Sequence, residues 1–494
     1  MHAQEIVRED MHDDGILTWT LDAPGTAVNL LDAAFIAALA GRLDAAEARL
    51  AEDQAAIAGI ILTSAKESFC ASADLDAMAA ATPTDAQAVY DLALGMASAF
   101  RRLETLGVPV VAAVNGSALG GGLGLALATN HRIALDEPGI RFGLPEVGFG
   151  LCPGAGGVLR TVRLLGVERS LDELLLGGSS FGTQDAIQRG IVDEAVDDEE
   201  ELIPAARQWL RENPHAVQPW DADGYRIPGG IPGLPAATGT DAVAAVLQFL
   251  PARLRSRRDA LHNPAPRAIL AAAVEGAQVD VNTAAVIEAR YHTQTVVDPV
   301  STAMIGLRHA DRKAAGQQSV DATTGAVPDS VTAAAGESVP GVHTDHQGNP
   351  DADADEALDP ARRAGPDAAR RMVVDLNDAA RVAAGDLVAE GMAGISVVRA
   401  AGQAGLSSPL YQSIEEAVGQ TAGAHVPATG GTGAQQPGLD TAAAQRRLLS
   451  AIAEAGRRHL ADRDAAAVAA LNIASVDGAG FPAWTGGIAR WRDA

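Results

Sequence analysis

Residues 112–166 read AAVNGSALGGGLGLALATNHRIALDEPGIRFGLPEVGFGLCPGAGGVLRTVRLLG, and the reading of this stretch decides the fold. Gly120-Gly121-Gly122 stands between an apolar run and an apolar helix-like segment, so the backbone there must turn tightly or meet a ligand closely. Free N–H groups at a helix start are ready donors to an oxyanion. Glu146 follows in FGLPE, and a second glycine turn, Pro153-Gly154-Ala155-Gly156-Gly157, comes soon after. A carboxylate between two glycine turns at strand–helix junctions is a candidate general base beside an anion-stabilising pocket. The alternative is two packing turns flanking a surface glutamate.

Outward from this centre the chain alternates strand and helix patterns. Residues 16–21 (ILTWTL) alternate as a strand does, and 55–64 (AAIAGIILTS), 108–115 (VPVVAAVN) and 132–135 (RIAL) are short apolar runs. Helical periodicity covers 32–53 and 85–106, then 158–178 and 183–190, before a strand-like IVDEAV. Strands separated by helices indicate an α/β domain, placed at 1–198. From 199 to 312 helices are broken by Pro/Gly loops such as QPWDADGYRIPGG (218–230), and 264–297 predicts one or two amphipathic helices. Residues 313–360 are rich in Gln, Ser, Thr, Gly, Pro and Asp and poor in large apolar residues, which predicts a disordered linker. Helical segments at 361–419 and 439–494 flank a second Gly/Pro/Gln-rich linker at 420–438. No fixed-period repeat is present.

Bulk composition narrows the function classes. A chain of 494 residues suggests several domains, and 47% hydrophobic residues suffice for real cores. A formal charge of −26 argues against a nucleic-acid backbone binder, which needs a basic footprint. It leaves room for a small anionic ligand held by a few cations and backbone amides. The two cysteines, Cys70 and Cys152, lie in apolar stretches, and so few exclude a disulfide framework or a cysteine zinc site. The first residues, MHAQEIVRED, lack a signal pattern and no apolar run reaches ~18 residues, so a cytoplasmic location is expected.

The 112–166 segment resembles the crotonase (enoyl-CoA hydratase/isomerase) superfamily, whose members run A-x-x-G-x-A-x-GGG, then FG-x-PE and a PG-x-GG turn. Upstream, SFCASADLDAM (68–78) resembles the family's F-x-AGADL segment; downstream, LLLGGSSFGTQDAIQRGIVDEAV (174–196) resembles its L-x-G…G-L-V-D stretch. Four matches in order form a specific signal. The resemblance implies a ββα spiral, assembly into trimers or larger oligomers, and an acyl-CoA thioester substrate. It also implies an oxyanion hole made by the backbone N–H groups of Ala73 and Gly121, with Ala71, Ser72 and Gly154 lining the substrate site and Glu146 catalytic. Two departures matter. Family hydratases carry a further glutamate where this chain has Gly124, and the family's thioester hydrolases show Asp where it has Gly154. One base is enough to move a double bond, so the resemblance implies an isomerase-biased enzyme. Gly124→Glu is then expected to raise hydration, if the pocket otherwise keeps its shape. Ser72 stands where the family usually has Gly.

Beyond the first domain, 218–230, 264–280 and the helix through Glu288 resemble the linker region of the multifunctional α-subunit of bacterial fatty-acid oxidation. Residues 378–412 and AGFPAWTGG (479–487) resemble the all-α C-terminal domains of its 3-hydroxyacyl-CoA dehydrogenase part. The span 313–360 is too short for a dinucleotide-binding domain. Dehydrogenase activity and NAD binding are therefore expected to be absent, and no other cofactor or metal is expected. The only formal G-x-G-x-x-A, at 478–483, lies too near the C-terminus for a βαβ unit. The acidic run 351–355 lacks the glycine and the final glutamate of a calcium loop, and His343 and His346 fall in the linker. Two functions remain: an enoyl-CoA hydratase/isomerase of fatty acyl-CoA β-oxidation, or a weakly catalytic or non-catalytic assembly subunit that binds partners such as thiolase.

Overall fold

The computed structural model describes residues 6–70, 74–231, 234–235, 242–256, 262–311, 366–390, 392, 394–407, 409–424, 441–461, 463–477, 479, 481–485 and 487–491. Two compact units result, one formed mainly by residues up to 254 and 264–302, the other mainly by residues from 303 onward. The helices after residue 199, set apart as an extension by sequence, pack within the first unit as far as Thr302. The expected linker at 313–360 lies outside the described residues.

The first unit is built on a sheet of β1 (Val7–Met11), β2 (Ile16–Leu21), β3 (Gly59–Ser64), β4 (Val110–Val114), β6 (His131–Leu135) and β9 (Glu194–Val196), in that order. The first pair is antiparallel and the rest are parallel. Central β4 is buried along its whole length, which explains its unbroken VVAAV in place of alternation. A small second sheet joins β5 (Ala118–Leu119), β7 (Phe142–Gly143) and β8 (Ser180–Phe181).

Helix α1 (Ala33–Glu52) starts at Asp32, whose side chain accepts the Phe35 N–H, and presents Phe35, Leu39, Leu43 and Ala46 to the core. Helix α2 (Ala86–Glu104) buries Met96, Phe100 and Leu103. Helix α3 (Gly121–Leu127) is almost wholly buried and follows the GGG turn. The helical run expected from 158 to 178 is interrupted. Helix α4 (Gly157–Leu165) stops at Gly166, which takes φ +88° and would drive a Cβ into the Pro228 carbonyl. A π-helical turn then covers Ser170–Leu175. Helix α5 (Glu199–Glu212) lies against the sheet, where Trp209 stacks on His131 at 4.5 Å. The 264–297 segment is two helices, α6 (Ala265–Gly276) and α7 (Val281–Val296), with Asp280 capping α7.

All described elements of the second unit from residue 366 onward are helical. Helix α8 (Pro366–Ala389) packs with α10 (Leu410–Ala424) and α11 (Thr441–Arg457), and α9 (Gly394–Gln403) completes the layer. Met372, Leu376, Val397, Leu448, Ile452, Phe481 and Ile488 form its core. A last helix, α12 (Ala465–Asp477), lies within the C-terminal helical segment expected at 439–494. In the formal G-x-G-x-x-A both glycines, 478 and 480, lie outside the described residues; the Ala479 N–H bonds the Ala474 carbonyl, the Phe481 N–H bonds that of Ser475, and Ala479 is buried. Helix α10 runs to Ala424, into the stretch read as the 420–438 linker; residues 425–440 lie outside the description.

Candidate active site

The first glycine turn is held by strands close to it in sequence. The Gly120 N–H bonds the Gly143 carbonyl at 2.9 Å, and the Leu119 N–H bonds that of Cys70 at 3.3 Å. Gly122 lies so tightly on the Cys70 carbonyl that a Cβ there would overlap it. Gly121 opens α3, so its N–H has no carbonyl one turn back within the helix. Ala71, Ser72 and Ala73, the segment expected to supply the other oxyanion donor, lie outside the described residues.

Glu146 sits in a 3₁₀ turn, Pro145–Phe149, which ends in left-handed Gly150. Its residue is 8% exposed, and Oε2 is buried with no hydrogen-bond partner. Burial above all pushes its carboxyl up to about 8; its own backbone N–H opposes this, and the charge of Glu288, the weakest of the three, adds to the rise.

The second glycine turn is held from far away. Four polar side chains on or just after α7 fasten it: Ser301 donates to the Gly150 carbonyl at 2.8 Å, and Thr295 Oγ1 accepts the Cys152 N–H at 3.0 Å. His292 Nδ1 donates to the Cys152 carbonyl at 2.7 Å, and Glu288 Oε2 accepts the Leu159 N–H at 2.8 Å. Burial holds His292 neutral. A carbonyl only accepts, so Nδ1 carries the proton and Nε2 a lone pair. The His292 ring covers Gly154 so closely that a Cβ at 154 would overlap it. Arg160 lies beneath Gly156, which takes φ +79°, and pairs with Glu104 of α2 at 2.7 Å with both side chains almost fully buried.

The two turns touch each other. A Cβ on Gly124 would stand 2.5 Å from the Ala155 carbonyl oxygen, and one on Gly121 would stand 3.3 Å from the Ala155 Cβ. The space a second glutamate would need at 124 is filled by backbone. This removes the condition on which Gly124→Glu was expected to raise hydration. Both cysteines are fully buried core residues, with thiols that burial keeps protonated. A cavity of about 400 Å³ lined by Arg163, Trp220, Tyr225 and Asp280 does not include Glu146 among its walls. Glu288 and His292 are the site residues that reading the motifs missed. Their signal was two polar residues four apart on one face of a helix that otherwise packs, one turn after another.

Such an α/β scaffold, with paired glycine turns around one buried carboxyl, defines a crotonase-type domain. The family model described as enoyl-CoA hydratase/isomerase matches residues 12–219, less than half of the chain, and it is this domain alone that belongs to the family. A fatty acid oxidation complex subunit alpha from Shewanella loihica is 41% identical over 186 residues, which is 37% of this chain and 25% of the relative. The match thus spans about a quarter of that relative's length. Among solved structures, an enoyl-CoA hydratase from Bacillus anthracis is 31% identical, covering 42% of this chain and 76% of its own, with a TM-score of 0.37. One from Thermoplasma volcanium is 27% identical, covering 42% and 78%, with a TM-score of 0.37. No helix among the described residues is long and apolar enough to cross a membrane.

Proposed function

We propose that this chain moves the double bond of an enoyl-CoA thioester, with Glu146 as the single general base. The carrying observation is a contrast between two positions: a buried carboxyl with an unpartnered oxygen at 146, and backbone packed where a second carboxyl would have to stand at 124. Glu146 takes a proton from C2 of a 3-enoyl thioester, and the electron pair moves into the carbonyl as a dienolate. Backbone N–H groups at Gly121 and Ala73 hold the developing oxyanion. Return of the proton to C4 leaves the double bond between C2 and C3. Hydration would need a further group to shape proton delivery to carbon while water is activated. Hydrolysis is disfavoured by the same reasoning at Gly154, where the His292 ring fills the space of the hydrolases' aspartate.

The place of this chemistry is fatty acyl-CoA β-oxidation, without an NAD-dependent step and with no cofactor beyond the CoA of the substrate. Self-assembly, pairing with a thiolase subunit and a cytoplasmic location belong to the same proposal. Purified protein incubated separately with a 3-enoyl-CoA and a 2-enoyl-CoA should isomerise the first faster than it hydrates the second. Glu146→Gln should lower isomerisation by at least ~10²-fold, because an amide cannot accept the proton. Acyl-CoA binding should survive, since the carbonyl is held by backbone donors. Full activity in Glu146→Gln would refute the base assignment. Acyl-CoA binding without turnover in the wild type would favour the second reading, an assembly subunit, to which the missing glutamate at 124 also points.

A further inference from the structure

Glu288 stands on α7, well beyond the family motifs, and is 2% exposed. A carboxyl this buried is costly unless its charge is met. Here the charge is met on one side. Oε2 accepts the Leu159 N–H, and the Gly156 and Gly157 N–H groups and the Arg160 guanidinium favour the same charge, though burial still raises the carboxyl. These N–H groups are the unsatisfied donors at the start of α4. Capping α4 accounts for Oε2, but Oε1 is buried with no partner. Across the turn, Oε2 of Glu146 is in the same condition, and the charge of Glu288 opposes ionisation of Glu146. The other ionisable groups around the pair are accounted for. Arg160 is ion-paired to Glu104, the Cys152 thiol is held neutral by burial and by both acids, and His292 is neutral.

We infer that Glu288 is the second carboxyl of the site, a positioning residue that acts through Glu146: the two acids flank the 150–157 turn and hold one proton between them. The charge rests on Glu288, faced by backbone donors and Arg160, and the proton rests on Glu146. Glu146 becomes a base only when the pair gives up that proton. The onset of catalysis with rising pH is therefore set by the charge at 288, not by an isolated glutamate. This inference rests on the reading of Glu146 as the base.

The test uses the full chain and two readouts. Isomerisation kcat/KM is followed from about pH 5.5 to 9.5 in wild type, Glu288→Gln and Glu288→Asp. Glutamine keeps an oxygen for the Leu159 N–H and loses the charge, so the acidic limb should move down by roughly half a pH unit or more. Aspartate keeps the charge and should keep the wild-type limb. In parallel, infrared difference spectra follow the protonated carboxyl band that disappears in Glu146→Gln, and its midpoint should fall in step in Glu288→Gln. A folded Glu288→Gln protein with limb and band both unmoved would overturn the inference. If that variant does not fold, the wild-type spectrum decides: two carboxyl bands titrating independently in the ordinary carboxylate range would also overturn it. Full activity in Glu146→Gln would instead remove the base reading, and the infrared titration would still report whether the acids share a proton.

Discussion

The two glycine turns of the first unit look alike in sequence and are secured in opposite ways. The first is tied through Gly120 to Gly143 in a neighbouring strand of the small sheet, and through Leu119 to Cys70, which bridges to the same sheet at Ala118. The second is tied by α7 and the residues just after it, through hydrogen bonds between residues 129 to 151 apart in sequence. The lesson is that a motif reports where backbone must be bare, while what fixes it can sit on a helix with no motif. Glu146 belongs to the stretch between the turns, so its environment depends on both kinds of bracing.

The largest expected effect comes from the ion pair under the second turn. Arg160→Met leaves Glu104 buried with only Arg101, 2.9 Å away, as partner, and should destabilise the protein by about 3–5 kcal/mol in denaturant unfolding. Adding Glu104→Leu should recover most of that. A loss below ~1 kcal/mol in the single variant would mean that α7 alone secures the turn. Next comes the point where the turns meet. Gly124→Ala should cost about 1–3 kcal/mol, because Ala155 must move. Gly124→Glu should carry at least the same cost without gaining hydration, and efficient hydration by that variant would show the turns to be independent.

Stability should also depend on pH with a definite sign. Glu146 and Glu288 are raised in the folded state, to about 8 and about 7, chiefly by burial. Between the unfolded carboxylate range and those values the folded chain holds more protons, so stability falls as pH rises. The neutral histidines His131 and His292 act in the opposite direction, but only below their unfolded value of 6.5. From pH 6.5 to 8 the thermal midpoint should therefore drop, by an amount equivalent to about 1.4 kcal/mol per pH unit at most for each acid. Glu146→Gln should flatten the slope. The smallest effect on catalysis should be Thr295→Val, which leaves the buried Cys152 N–H without its acceptor and should cost about 1–3 kcal/mol of stability with kcat nearly unchanged. A large fall in kcat would show that the second turn must be fixed to high precision.

Most of the first unit's elements could be read directly because their signals are local. Residues 16–21 are β2, and the apolar runs around 60, 110 and 133 are strands of the same sheet. Asp32 and Asp53 bound α1 as its cap residues. The buried carboxyl at 146 was also legible, since few residues between two glycine turns could ionise. What stayed hidden was set by distant packing. The break at Gly166 depends on the Pro228 carbonyl, and the bare position at 124 depends on Ala155. Glu288 and His292 read as ordinary polar residues on a helix until the turn they hold is placed against them. In the second unit, Ala-rich α12 lacks helical amphipathicity because its faces are mostly covered, so its bounds within 439–494 carried no periodic signal.

The contact between the His292 ring and Gly154 makes a change at either position depend on the other. No side chain can enter at 154 while the ring lies over it, and withdrawing the ring leaves the Cys152 carbonyl without its donor. A drift toward thioester hydrolysis, with an acid at 154, would therefore pass through an intermediate worse than either end unless both residues changed together.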